Sequence, residues 1–210
     1  MKINELQKPD QITQLQRGGN TGDWRYDASV ILKQAGFKRV GFGSFGTVYR
    51  RDGDDKVLKI FGDDPAYLRW LAFCRANQSN LYVPQIRGKP TKIKDGVYGI
   101  RMEPLVKASD PTLAYLIGGL AQHYDALVVR GVQNEEIPND AAPWLRNAKQ
   151  YFRMAKEPLQ RFIPNWQTDE DLKAILKFLN ANANAVDLGN AENVMQRSDG
   201  HIVITDPMAD

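Results

Sequence analysis

Gly41, Gly43 and Gly46, in the stretch GFGSFGTVYR, hold a G-x-G-x-x-G spacing. Glycine has no Cβ, so a loop built this way lets backbone N–H groups come close to a phosphate. A plain glycine-rich hairpin has the same composition, and the spacing alone fits both. Thirteen residues after Gly46 stands Lys59, in the apolar run KVLKIF. A cation on a strand directly downstream of the glycines has the reach to meet phosphates covered by that loop; the alternative is a solvated lysine. Asn193 and Asp206 lie at the two ends of NVMQRSDGHIVITD, thirteen residues apart. A hairpin of that length brings its ends together. A carboxamide and a carboxylate there offer hard oxygens to Mg²⁺, which takes its remaining ligands from water and phosphate. The alternative is two polar residues at strand ends.

These residues need elements to position them. FKRVGF (37–42), GTVYRR (46–51) and KVLKIF (56–61) read as strands, and DGDD between the last two as a turn, giving an antiparallel meander. Asp64 and Pro65 carry the start signal of a helix over about 65–77, continued by YLRWLAFCR at helical spacing. YVPQIRG (82–88) and GVYGIRMEPL (96–105) read as two more strands. Ahead of the sheet, YDASVILKQAG has helical spacing and a stop at Gly36. Residues 1–25 are polar, carry the breakers RGGNTGD, and read as a loosely held tail. From Pro111 the pattern turns helical, with helices expected near 111–130, 143–157 and 168–183 and polar loops such as GVQNEEIPND. The end is expected to form a strand at Val194–Gln196, a turn at SDG and a strand at His201–Thr205. There are no internal repeats. The fold class is α+β: a five-stranded antiparallel lobe with one inserted helix over 26–103, then a small helical lobe over 104–210 that closes with the hairpin.

Composition narrows the function classes. The chain has 210 residues, 42% hydrophobic and 25% charged, enough to bury a core. A net charge of +3 gives no argument for nucleic acid. A single cysteine, Cys74, excludes an internal disulfide and multi-cysteine zinc sites, and fits a reducing cytosol. His123 and His201 have no metal-ligand partner at short spacing. The first twenty residues lack the apolar core of a signal peptide. The run TLAYLIGGLAQHYDALVV is interrupted by Gln122, His123 and Asp125, which argues against a membrane span.

Glycine loop, strand lysine, helix, a strand ending in RMEPL, helical lobe, then Asn193 and Asp206 come in the order of the protein-kinase fold. The chain resembles the protein-kinase-like superfamily, as a minimal bilobal member. Within it, the chain is similar to the early serine/threonine protein kinases of short-tailed, T-odd-type bacteriophages. The resemblance lies in AGFKRVGFGSFGTVY, VLKIF, AYLRWLAFCR, VPQI and NVM…ITDP, covering about residues 35–106 and 183–208. It implies ATP and Mg²⁺ as cofactors, a host bacterial protein as partner and a place in the host cytosol. It implies that Gly41, Gly43 and Gly46 approach the triphosphate and that Lys59 contacts its inner phosphates. Met102 to Leu105 would be the hinge, with backbone groups reading adenine and Glu103 at its start. Asn193 and Asp206 would hold Mg²⁺, and Asp187 would be the base that orients the attacking hydroxyl.

The departures from that pattern are specific. The family places its catalytic aspartate five positions before the asparagine, which here is Leu188; Asp187 is six before Asn193. Asn190 is an alternative metal ligand, though the spacing to Asp206 favours Asn193. Ala185 stands where the family has a histidine, and the magnesium motif reads DPMA rather than D-F-G. The helix after Lys59 holds no glutamate to pair with it, so Asp63 or Asp64 would substitute, unless Asp64 simply caps the helix. The chain stops four residues after Asp206, with no A-P-E element. Three functions follow: phosphoryl transfer from ATP to serine or threonine of host proteins; a degenerate kinase fold that binds and redirects a host protein; or a small-molecule kinase of the aminoglycoside-kinase type, for which no acidic substrate pocket is visible.

Overall fold

The computed structural model describes residues 23–43, 46–130 and 142–209. The tail before Asp23, Ser44 and Phe45 of the glycine loop, and the expected loop GVQNEEIPND lie outside the described residues. The chain divides into two compact units: residues up to Arg75 with Gln85–Pro104, and Ala76–Pro84 with Leu105–Asp210.

The first unit opens with helix α1 (Trp24–Gln34), started by Asp23, whose carboxylate accepts from the Arg25 and Tyr26 N–H groups. Strands β1 (Phe37–Phe42), β2 (Gly46–Arg51) and β3 (Val57–Gly62) form the meander. Helix α2 (Pro65–Ala76) follows. Asp64 does cap it, accepting from the Tyr67 N–H at 2.9 Å. Strands β4 (Ile86–Lys94) and β5 (Val97–Met102) complete a fully antiparallel sheet of order β1-β2-β3-β5-β4.

The alternation along β3 sorts its side chains onto two faces. Leu58 and Ile60 pack with Phe37, Tyr49, Ile93 and Val97 against Ala28 and Leu32 of α1. The buried Asp27 of α1 meets Lys94 of β4 at 3.3 Å. Val57, Lys59 and Phe61 take the other face, where the Phe61 ring meets Tyr67 of α2 edge-on, centroids 4.9 Å apart.

The fourth strand departs from expectation. It runs over Ile86–Lys94 rather than 82–88. Pro90 and three lysines obscure its pattern, and such residues suit the edge strand that β4 is.

In the second unit, β6 (Val106–Lys107), β7 (Val194–Gln196) and β8 (Ile202–Ile204) make a small antiparallel sheet of order β6-β7-β8. Helices α3 (Leu113–Gln122), α4 (Pro143–Phe162) and α5 (Glu170–Ala181) surround a core that includes Ile117, Leu120, Leu159, Leu172 and Ile175. The helix expected over 111–130 is interrupted: α3 ends at Gln122, with His123 as its C-cap, and a single π turn at Asp125–Val129 follows. Helix α4 runs to Phe162, with Pro158 inside it.

Residues 80–83 are stitched into this unit by distant partners. Asn80 donates to the Asp171 carbonyl at 2.7 Å, the Tyr82 hydroxyl to Asp169 at 2.6 Å, and the Ile204 N–H to the Tyr82 carbonyl at 2.9 Å. Asp169 also caps α5 through the Leu172 N–H. Among the described residues no helix is long and apolar enough to cross a membrane.

Candidate functional site

The first unit carries the glycines and the lysine. Gly41 lies in β1 opposite Val48, beside an irregularity in register after Arg39. The Gly43 N–H donates to the Gly46 carbonyl at 2.9 Å, closing the turn. None of the three has a left-handed backbone, unlike Gly53 in the β2–β3 turn at φ +83°. Space explains Gly46: a Cβ there would stand 2.9 Å from the Ile60 carbonyl oxygen and 3.1 Å from Cε of Lys59. The lysine stem therefore runs past the last glycine, and the two motif residues depend on each other sterically. A Cβ on Gly43 would meet nothing within 4 Å.

Lys59 is buried, on the central strand of the sheet, opposite Val48 and Ile100. Its Nζ sits 4.0 Å from the centroid of the Tyr67 ring, a cation–π contact. Tyr67 is thus a residue of α2 that faces the lysine, in the helix that holds no glutamate. Aspartate substitution by Asp64 has no support, since its carboxylate caps the helix.

Met102 is buried at the end of β5. Glu103 is bound twice to Gln85: its N–H donates to the Gln85 carbonyl at 2.9 Å, and its carboxylate accepts from the Gln85 N–H at 2.8 Å. A part in reading adenine therefore does not fall to the Glu103 N–H.

The second unit carries the oxygen ligands and the candidate base. Residues 185–187 pair with 207–209: the Asp187 N–H donates to the Pro207 carbonyl at 2.8 Å, and the Ala209 N–H to the Ala185 carbonyl at 2.9 Å. The Asn193 carboxamide donates to the Asp187 carbonyl, and the Asn193 carbonyl accepts from the Thr205 N–H at 2.9 Å. Backbone hydrogen bonds thus gather the stretches holding Asp187, Asn193 and Asp206. With its nitrogen committed to Asp187, the buried Asn193 amide keeps its oxygen as the group able to meet a cation. Among the described residues no three His, Cys, Asp or Glu side chains converge as a metal cage. An Asp–Asn pair fits Mg²⁺, which takes few protein ligands and keeps water and phosphate.

The extra loop residue also has an account. Leu188, where the family spacing expects the aspartate, is a buried leucine whose Cβ packs over Gly118 of α3; a Cβ on Gly118 would stand 3.0 Å from it. Leu188 anchors the loop and leaves Asp187 as its acid. Asn190 accepts from the Glu192 N–H at 2.9 Å and caps a 3₁₀ turn at Ala191–Asn193, a structural use that argues against it as metal ligand. Gly119, the next residue of α3, lies under the Tyr151 ring, whose hydroxyl donates to the Leu116 carbonyl. Sequence analysis did not single out Tyr67 or Gly118, and met Leu188 only as the position where the family spacing expects an aspartate. A Gly-Gly pair inside an apolar helix was the one signal for close packing.

The remaining polar candidates are structural. Burial pushes the Cys74 thiol up, away from the reactive thiolate. His201 meets Asp199 at 3.2 Å in an exposed turn. His123 lies against the Tyr151 ring.

No curated protein sequence matches the chain. Two similar solved structures are choline kinase LicA from Streptococcus pneumoniae, 12% identical with a TM-score of 0.36, covering 87% of this chain and 70% of that one, and the streptomycin–ATP–APH(2″)-IIa ternary complex, 13% identical with a TM-score of 0.31, covering 100% of this chain and 74% of that one. The family model described as bacteriophage T7 protein kinase 0.7 matches residues 2–209, almost the whole chain, and the chain belongs to that family.

Proposed function

We propose that the protein transfers the γ-phosphoryl group of ATP to serine or threonine hydroxyls of host bacterial proteins, in the host cytosol. The observation that carries the reading is the loop in which Asn193 holds the Asp187 carbonyl while Asp187 is paired to the chain just after Asp206. Family membership supports the same reaction class.

In this reading the backbone at Gly41, Gly43 and Gly46 lies along the triphosphate, and Lys59 meets its inner phosphates. Met102 and Glu103 lead into the segment that reads adenine. Asn193 and Asp206 hold Mg²⁺, which when bound would neutralise charge on the phosphates. Asp187 accepts the proton of the acceptor hydroxyl. The hydroxyl oxygen forms a bond to the γ-phosphorus, the bond from that phosphorus to the β–γ bridging oxygen breaks, and its electrons leave with ADP. Fixed charges and dipoles aimed at the transferring group supply the stabilisation.

A second reading is a degenerate kinase fold that binds a host protein without transfer. The observation favouring it is that α2, the helix whose Tyr67 ring lies against Lys59, contains no glutamate.

Calorimetry with ATP and Mg²⁺ tests the nucleotide part. The expected result is binding by the wild type that weakens on Asp206→Ala. Absence of binding at millimolar ATP rules out transfer and leaves the interaction module.

A further inference from the structure

We propose that the groove of the second unit bounded by Gly118 and Gly119 of α3, Gln150 and Met154 of α4, and the Leu188–Gly189 loop binds an extended, uncharged stretch of polypeptide that presents the acceptor hydroxyl. This rests on the phosphoryl-transfer reading and names the substrate class for it. The groove measures about 900 Å³. Val186 and Leu188, the neighbours of Asp187 on either side, both line it, so a chain lying there passes the backbone of the loop that carries the candidate base.

Its chemistry selects among acceptors. Among the described residues no Asp, Glu, Lys or Arg lines the groove. His123 does, and burial lowers its pKa, which keeps the imidazole neutral near pH 7. A polycationic amino sugar or a quaternary amine would leave its charge without a carboxylate, and an anionic metabolite would find no cation. The groove holds four carboxamides instead, on Gln122, Asn147, Gln150 and Asn180. Each offers N–H donors and a carbonyl acceptor, the complement of a peptide backbone. Asn147, Gln150, Tyr151 and Met154 follow one another at i, i+3, i+4 and i+7, which puts them on one face of α4. Tyr115 and Met154 are 65% and 53% exposed, and side chains of these types are enriched where proteins meet.

Two measurements on the whole chain test this. The probe is a pool of eight-residue peptides with a central serine or threonine and uncharged flanks. The first measurement is transfer from γ-labelled ATP to the pool by the wild type, Gln150→Lys and Met154→Lys. The KM for the pool should rise at least tenfold in each variant, with ATP affinity unmoved. The second places photo-reactive benzoylphenylalanine at Met154 and asks whether labelled pool peptides cross-link there, which needs no transfer. Cross-linking without wild-type transfer keeps the groove and removes the kinase reading. Transfer with an unchanged KM in both variants, or the absence of cross-linking, overturns the groove whatever the fate of the kinase reading.

Discussion

Lys59 of β3 lies with its ammonium 4.0 Å from the centre of the Tyr67 ring of α2. The ring packs against a buried cation and helps to hold the ammonium in place. A cation–π contact of this kind is worth about 0.5–2 kcal/mol. Tyr67→Phe keeps the ring and should leave ATP affinity within twofold of wild type. Tyr67→Leu removes it and should weaken ATP binding several-fold in calorimetry at a temperature where both variants are folded. Equal affinities in all three proteins would show that the contact only packs.

Gly46 and Gly43 should separate packing from ligand approach. Gly46→Ala drives a methyl into the Ile60 carbonyl and the Lys59 stem, and overpacking of this sort costs about 1–3 kcal/mol. Denaturant unfolding should report that loss. Gly43→Ala meets no protein atom, so its stability should stay within about 0.5 kcal/mol of wild type. If the turn lies along phosphates, the same methyl should weaken ATP binding.

The loop around Asp187 yields a paired comparison. Asn190 caps a turn, so Asn190→Ala should cost about 1 kcal/mol of stability and retain phosphoryl transfer. Gly118→Ala should push Leu188 outward and shift Asp187, lowering transfer more than it lowers ATP affinity. Side-by-side melting curves and initial rates would decide. A transfer-dead Asn190→Ala of normal stability would return Asn190 to the metal site.

His123 predicts an acid-side effect. Burial lowers its pKa below the ordinary 6.5, so the unfolded chain binds a proton that the folded chain resists. Its contribution is fully present above about pH 6.5 and is lost as pH falls toward the lowered folded value. His123→Gln should flatten the decline in stability from pH 6.5 downward while leaving the curve above pH 7 parallel to wild type. Unfolding midpoints across pH 5–8 measure this.

Local signals made the first unit legible. Alternation placed β1 and β2 over the ranges observed, and Asp64–Pro65 marked the start of α2. The same reading failed where partners are far away in sequence. Tyr82 and Val83 look like strand residues, but their carbonyls are taken by Ile204 and Arg197, and no local pattern reveals that. Strand β6 has only two residues, too few to alternate, and exists because β7 lies beside it. Within the candidate site, residue types and spacing pointed to Lys59, Asn193 and Asp206, and resemblance pointed to Asp187. The residues that position them, Tyr67, Gly118 and Leu188, are apolar or aromatic and look like ordinary core until their neighbours are known.

Phosphoryl transfer tests the central claim most directly. Purified protein is incubated with γ-labelled ATP, Mg²⁺ and a bacterial lysate, beside Asp187→Asn and Lys59→Ala. The wild type should label lysate proteins on serine or threonine. Asp187→Asn should lower the rate at least tenfold, about 1.4 kcal/mol in barrier, with little change in shape. Lys59→Ala should lower it as well, through lost phosphate positioning. Wild-type rates from Asp187→Asn, with Lys59→Ala inactive, would contradict the assignment of the base, and labelling that neither substitution affects would contradict the assignment of the enzyme.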